Sequence, residues 1–445
     1  MDKDQLIKAV AEAGVVGAGG AGFPAAVKLN SSPEVIIVNG AECEPLLKVD
    51  QQLALENASE LAKALNVIVT ALGAKEGVFA VKEKYTQAVK AIKSEISHLK
   101  NLRVKTLGNY YPMGDEQVLV FEVLGRIVPE GGLPLACGAL VINVESLLNI
   151  SRAIHLKEPV IDKYLTVTGS VAKPATFKVP VGISISEVLE AAGGPTTKSP
   201  VVINGGPMMG KLEEDLTTPI TKTTKGLIVL DRMHPRSEAK KRSLTSMLKI
   251  ARTACCHCMY CTDLCPRYLL GHRLYPDRVM RLASYGHTGD PPDQAGQVFL
   301  CCECGLCEQA CVMGLQPWRL NHELKGRLGP KVANALVKLT PDEVNRFREL
   351  RRYPIPRLVQ KLGLAQYEDL KAPLTVTSFS PKRVRLMLKQ HLGAPAVPIV
   401  KPGQKVKRGD KVASPPEGAL GAHVHTSLTG KVEEVQTTSI TVIAK

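Results

Sequence analysis

Eight cysteines between residues 255 and 311 fall into two runs of one spacing. Cys255, Cys258, Cys261 and Cys265 form the first, and Cys301, Cys304, Cys307 and Cys311 the second. Each run reads C-x2-C-x2-C-x3-C, the spacing with which thiolates hold a pair of [4Fe–4S] cubanes. Three cysteines at i, i+3 and i+6 wrap one cubane in a tight loop, and the fourth points away to the other cluster. Cys311 then closes the site begun by Cys255, Cys258 and Cys261. Cys265 closes the site begun by Cys301, Cys304 and Cys307. The alternatives are two structural zinc knuckles or unrelated buried thiols. Zinc usually takes two C-x2-C pairs separated by a longer gap, not runs of four. The runs are an internal repeat offset by 46 positions. Cys256 and Cys302, beside ligands, read as spare packing thiols. His257 is an alternative ligand of a rare kind.

The formal charge of +15 would by itself suggest nucleic acid or an anionic surface. Two cubanes with four thiolates each bring about −2 apiece, and a flavin phosphate about −2 more, which leaves the loaded protein near about +9. That remainder suits anionic nucleotides or an acidic redox partner. Aromatic content of 4% speaks against stacking on single-stranded nucleic acid. The N-terminus is polar with no apolar h-region, so no signal peptide is expected. No apolar run reaches the eighteen or so residues that span a bilayer. A cytoplasmic, thiol-reducing setting is expected, without disulfides.

Taken in order, residues 4–13 read as a short helix with Leu6, Ile7 and Val10 on one face, packed on the first domain or docking a partner or shell. Gly17, Gly19, Gly20 and Gly22 follow, ahead of a helical stretch with Lys28. Glycines let backbone N–H groups approach an anion, and the next helix N-terminus favours negative charge. The other reading is a mobile hinge. Residues 35–38 are a buried strand, with Asn39, Glu42 and Glu44 at its carboxyl end, where α/β sheets bind ligands. Apolar stretches at 66–72 and 77–81, with helical stretches between and after them, continue an α/β pattern. A polar loop with Tyr111, Gly114, Asp115 and Glu116 precedes an apolar helix at 117–124, and Asn143 lies in the apolar stretch 140–150.

GAGGAGFPAAVK, VNGAECEP, YPMGDE and VINVES resemble the flavin-binding segments of the NADH-binding flavoprotein subunit of respiratory complex I and of the Rnf complex C subunit. The resemblance implies a Rossmann-like domain that binds FMN, with NADH stacked over the flavin. The glycine loop and Lys28 would hold the phosphate and ribityl. Asn39, Glu42, Glu44 and Asn143 would contact the flavin. Tyr111, Gly114, Asp115 and Glu116 would line the flavin and nicotinamide pocket, with Glu116 nearest the hydride. Ala41 stands where the complex I pattern has an acid.

Residues 164–206 read as two strands about Lys173-Pro174, a helix Ile185–Ala192 ending at Gly193-Gly194, and VVINGGPMMG. They resemble the soluble-ligand-binding β-grasp domain of the same families, without a titratable cluster, as an interface domain or a cobalamin contact. Residues 232–252 read as one basic helix leading into the cluster domain. A Gly/Pro/Asp-rich loop is expected at 286–296, and a connector with short helices at 331–385. The C-terminal VKPGQKVKRGDKVA and ALGAHVHTSLTGKVEEV resemble biotinyl/lipoyl-type barrel-sandwich hairpins, with Ala419-Leu420-Gly421 in place of the carrier lysine. His423 and His425 are expected at the surface.

The expected architecture is multidomain α/β: an FMN/NADH domain over 1–158, a β-grasp domain over 159–235, a two-[4Fe–4S] domain over 236–330, a connector over 331–385 and a barrel-sandwich hybrid over 386–445. This order is similar to that of the cobalamin reductases of propanediol-utilisation microcompartments. The resemblance implies an enzyme that passes electrons from NADH through FMN and two [4Fe–4S] clusters to cobalamin or a cobalamin-handling protein. A microcompartment shell or an electron-transfer protein would be its other partners, with no nucleic acid and no membrane span. The alternatives are an Rnf- or complex I-like subunit feeding a ferredoxin or membrane quinone module, and a non-catalytic scaffold.

Overall fold

The computed structural model describes residues 1–285, 296–336, 339–375 and 377–444. All but the last residue of the Gly/Pro/Asp-rich loop expected at 286–296 lies outside them.

Helix α1 (Lys3–Glu12) starts at a capping box, Asp2 accepting from Gln5 N, and buries Leu6 and Val10. The glycine loop leads into α2 (Ala25–Leu29) and the central strand β1 (Val35–Gly40). Helices α3 (Val49–Glu56) and α4 (Ala58–Leu72) precede β2 (Glu76–Lys82); α5 (Thr86–Ile96) precedes β3 (Leu102–Leu107). After β4 (Tyr110–Tyr111) come α6 (Glu116–Leu124), β5 (Ala139–Asn143) and α7 (Val144–His155). The strands form a parallel sheet in the order β3-β2-β1-β5. Its two faces feed separate apolar cores, so its strands are apolar almost throughout. The apolar stretch 66–72 is the second half of α4. Leu61, Leu65, Ile68 and Leu72 repeat at helical spacing on its buried side, and Gly73 ends it in the left-handed conformation.

The next unit has β6 (Asp162–Gly169), β7 (Ala175–Pro180), α8 (Ile185–Ala191), β8 (Pro200–Asn204), β9 (Lys211–Glu213) and β10 (Gly226–Asp231). Its mixed sheet gains an edge strand, Leu374–Thr375, from the segment expected to be a connector. That segment also pairs Tyr353-Pro354 with β4. It is a strap across three units, and its short strands were hidden because each depends on a partner far away in sequence.

The basic stretch 232–252 is two helices rather than one, α9 (Pro235–Lys241) and α10 (Leu244–Ala254). Ser243 accepts from Ser246 N and starts the second, while Arg242 is extended. The first cysteine run carries α11 (Tyr260–Asp263) and α12 (Pro266–Leu269), and α13 (Pro276–Tyr285) packs on α10. The C-terminal unit is a four-stranded sheet and a three-stranded sheet over one apolar core. His425 departs from the surface expectation: it is buried at the interface with Lys222, while His423 is half-buried. Among the described residues no helix is long and apolar enough to cross a membrane.

Candidate functional site

The glycine loop folds back on itself, Gly17 N donating to Phe23 O at 2.8 Å. Ala18 N donates to Ser146 Oγ at 2.8 Å, which pins the loop to the start of α7. A Cβ on Gly19 would lie 3.5 Å from Cβ of Asn143, while Gly20 faces open space at φ +135°. Among the described residues no protein acceptor takes the amides of Gly19, Gly20, Ala21 or Gly22. Free amides above the N-terminus of α7 form a cradle for an anion, and they fit a flavin phosphate. Gly22 is pressed on its outer side, where a Cβ would meet Thr223 at 2.9 Å. The 221–225 loop of the β-grasp unit and residues 390–391 of the C-terminal unit therefore pack against the glycine loop at Gly22.

Lys28 reaches across β5, donating to Val141 O at 2.8 Å and Glu116 Oε1 at 2.7 Å. Asn39 Nδ2 donates to Gly114 O at 2.9 Å, joining the end of β1 to the 110–116 loop. Asn143 Oδ1 caps α7 and its Nδ2 donates to Asp50 at 2.9 Å. These contacts bring Lys28, Asn39, Gly114, Glu116 and Asn143 together at the carboxyl end of the sheet, beside the glycine loop.

Glu42 is buried in a left-handed conformation, φ 35°, and accepts Asp50 N at 2.8 Å from the first turn of α3. Burial pushes its carboxyl up to about 7, with the Asp50 charge adding to the rise. The Lys225 charge and the α3 amides pull the other way but do not cancel it. Lys225 of the β-grasp unit pairs with Asp50 Oδ2, and Asp50 Oδ1 is buried without a partner. A second buried pair, Lys163 with Glu145, lies on the same seam. The β-grasp unit thus contributes charge that its own stretch 164–206 does not reveal. Asp50, Ser146, Lys163 and Lys225 are the residues that sequence reading missed. A buried aspartate in LLKVDQQL and the serine of VINVES were the available signals.

Three of the expected pocket residues are committed to neighbouring units. Both carboxylate oxygens of Glu44 accept amides of Met208 and Met209, at 2.9 and 2.8 Å. Gly206 makes that approach possible, since a Cβ there would stand 2.1 Å from the Glu44 carboxylate. Asp115 caps α6 through Gln117 N and Val118 N and takes a bidentate pair from Arg267, with Nη2 to Oδ2 at 2.9 Å. The Arg267 guanidinium and these amides hold the Asp115 carboxyl below the usual range although it is largely removed from water. Tyr111 is buried and donates its hydroxyl to the carbonyl of Cys304 at 2.5 Å. The 110–116 loop therefore touches both cysteine runs, Arg267 following the first and Cys304 lying in the second.

The cysteine runs repeat in backbone as in spacing. His257 and Glu303 have φ of 54° and 57°, and Met259 and Gly305 have 63° and 77°. Each positive-φ pair curls a loop around its thiols. Cys255, Cys258, Cys261 and Cys311 line one recess, the grouping expected from a crossed fourth ligand. The thiol charges that weigh most on Cys307 are those of Cys301 and Cys265, followed by that of Cys261 from the first run. Burial pushes up the thiols of Cys261, Cys265, Cys301 and Cys307, so as free thiolates they would be costly there. Iron would supply the missing positive charge. Among the described residues no three His, Cys, Asp or Glu side chains converge as on a single ion. A cubane places one thiolate at each iron corner instead, and the two groups of four fit that demand.

Comparison with known proteins agrees with this arrangement. Residues 10–152 match the Nuo51 FMN-binding domain, 164–212 the SLBB domain, 254–316 the 4Fe-4S dicluster domain and 370–445 the RnfC barrel sandwich hybrid domain. The cobalamin reductase PduS of Salmonella typhimurium is 43% identical over 100% of this chain and 97% of its own. That of Citrobacter freundii is 44% identical over 99% of this chain and 97% of its own. The C component of the Na(+)-translocating ferredoxin:NAD(+) oxidoreductase complex of Acetobacterium woodii is 34% identical over 60% of this chain and 59% of its own. With an FMN-binding domain tied by Tyr111 and Asp115 to a 4Fe-4S dicluster domain, and near-complete mutual coverage with these reductases, the chain is a flavo-iron–sulfur oxidoreductase that belongs to the PduS cobalamin reductase family.

Proposed function

We propose that this protein is an NADH-dependent reductase that delivers electrons through FMN and two [4Fe–4S] clusters to cobalamin, within a bacterial microcompartment and in service of a B12-dependent diol dehydratase. The observation that carries this reading is the seam at residues 110–116. One loop borders the candidate flavin site through Gly114 and Glu116 and touches a cluster loop through Tyr111. Bound FMN would supply the conversion between two-electron hydride donors and one-electron clusters.

The chain's own residues do the positioning. The amides of Gly19, Gly20 and Gly22 would cradle the phosphate, and Lys28 would add a cation beside it. Asn39 and Asn143 hold the floor of the site by bonds to Gly114 O and Asp50. Glu116 is 42% exposed in its side chain, on the open side of its pair with Lys28, where a nicotinamide would approach. Burial raises the Glu42 carboxyl to about 7, at the carboxyl end of β1. Cys255, Cys258, Cys261 and Cys311 would hold one cluster, and Cys301, Cys304, Cys307 and Cys265 the other.

Anaerobic reconstitution with iron, sulfide and FMN, followed by NADH and a choice of cob(III)alamin, cob(II)alamin, ferredoxin or quinone, tests the reading. Cobalamin reduction well above that by free flavin and NADH is the expected result. Equal rates would remove the assignment. Preference for ferredoxin or quinone would favour the second reading, an Rnf-like electron-transfer component, which the likeness to the Acetobacterium woodii protein supports.

A further inference from the structure

The sibling cysteine loops share a backbone but not an environment. In the second loop Cys304, Leu306 and Cys307 are buried. Met208 Cε of the β-grasp unit lies 3.5 Å from where a Cβ on Gly305 would stand, and Leu306 packs in one apolar cluster with Met208, Tyr111 and Leu358. In the first loop every residue from 256 to 260 is exposed. Met259 and Tyr260, at the positions of Gly305 and Leu306, are 42% and 54% exposed. Val312 and Met313, just past the second run, are 63% and 44% exposed. Met259 also holds a left-handed φ that its sibling gives to glycine, so an exposed methionine is kept at a strained position.

Met259 and Met313 line the same recess as Cys255, Cys258, Cys261 and Cys311. Among the described residues an apolar collar therefore rings this cluster site, while the sibling loop is covered. The repeat itself shows what such a loop packs against when covered: apolar side chains of another folded unit. The rim has a definite charge. The one acid lining the recess, Asp277, is buried and paired with Arg281, and the sequence has no acid between Glu238 and Asp263; Lys240 and Lys241 bond away from the recess, to Met208 O and Glu214. Lys249 and Arg252 are exposed on α10, whose last residue precedes Cys255. Methionine adapts its shape to a partner, and charge around an apolar centre sets encounter rate and orientation.

We propose that this collar docks a second redox protein whose contact patch is apolar at its centre and acidic at its rim. The cluster of Cys255, Cys258, Cys261 and Cys311 is then the one that exchanges electrons with it. One electron leaves that reduced cluster and one enters the partner's acceptor group, with no bond or proton transferred; NADH is the ultimate reductant. This rests on the proposed function for the direction of flow, but the docking face is testable separately.

A small acidic flavodoxin serves as the probe, with the FMN- and cluster-loaded protein. Its Kd is measured by calorimetry at low and high salt, and its KM in NADH-driven reduction. The double variant Val312→Glu with Met313→Glu should raise both about tenfold. Arg252→Glu should raise them a few-fold and flatten the salt dependence. The EPR signals of dithionite-reduced clusters and the flavin absorbance should stay as in the parent, which excludes misfolding. An unchanged Kd in both variants overturns the proposal. So does an unchanged flavodoxin Kd with a tenfold loss in cob(II)alamin reduction, since the collar would then serve a corrinoid. If NADH fails to reduce the parent's clusters, the proposed function falls, while the Kd comparison still decides the docking face.

Discussion

Two seams meet the flavin-type domain, and they are built differently. Toward the β-grasp unit the seam is a crowd of buried charge: Lys163 with Glu145, Lys225 with Asp50, and Glu42 close by. Its charge is unfinished, because Asp50 Oδ1 lacks a partner and Glu42 is pushed up to about 7. Toward the cluster domain the ion pairs among the described residues are complete, and the buried atom left over is a neutral-ring nitrogen, Nδ1 of His272. Asp115 meets Arg267 on both oxygens and Glu130 meets Arg273; behind that seam Glu308 meets Arg236 and Trp318. Arg236 also donates to Pro207 O at 2.7 Å, so it clamps the β-grasp loop and the second cysteine loop together. A seam with unmet polar atoms has room for a ligand or a proton. A seam with completed pairs fixes distance and angle, which electron transfer between two cofactors requires.

The sharpest way to break this contrast is to remove one partner of a buried pair on each side. Glu145→Ala strands Lys163 and Arg267→Ala strands Asp115, and each should cost about 3–5 kcal/mol in chemical denaturation. The two should part in a second measurement: Glu145→Ala weakens FMN retention, whereas Arg267→Ala keeps FMN and slows cluster reduction. Matching losses of both cofactors would show that the seams are not independent.

Glu42→Gln tests the unfinished charge. The folded-state pKa of Glu42 is raised from 4.5 to about 7, so between those values the folded protein keeps a proton that the unfolded chain releases. Its stabilising share is full below pH 4.5 and is lost as pH rises through about 7. Glutamine cannot ionise, so the variant should flatten that decline in a series of denaturation curves. Parallel pH profiles would show that the carboxyl titrates in the ordinary range.

Smaller effects follow at two single contacts, one on each seam. Gly206→Ala puts a methyl into the Glu44 carboxylate, which two amides hold in place, and should cost about 1–3 kcal/mol. Tyr111→Phe removes one hydrogen bond to a buried carbonyl, worth about 1 kcal/mol, and should leave FMN and the iron–sulfur signals intact. Loss of iron–sulfur signal in that variant would mean the hydroxyl organises the loop rather than only anchoring it.

The cysteine runs, the glycine loop and the strand Val35–Gly40 were legible because spacing and short-range pattern set them. A loop with ligands at i, i+3 and i+6 is defined within itself, and so is an apolar strand followed by polar residues. The break between α9 and α10 was missed, although Ser243 is an ordinary cap, because a basic run with helical composition concealed it. Glu44, Tyr111 and Asp115 read as pocket residues because polar side chains at the end of a sheet face a ligand or a neighbouring domain with the same signature. Tyr111 reaches Cys304 across 193 residues of sequence, and Asp115 reaches Arg267 across 152. Local propensity carries nothing about such pairs.

The sequence by itself determined which cofactors the chain is equipped for, because ligand chemistry is written in residue type and interval. Only the tertiary structure decided which cysteine loop faces inward and which faces solvent. Two loops of one spacing are equivalent until other domains pack on one of them, and burial is a property of that packing, not of the loop.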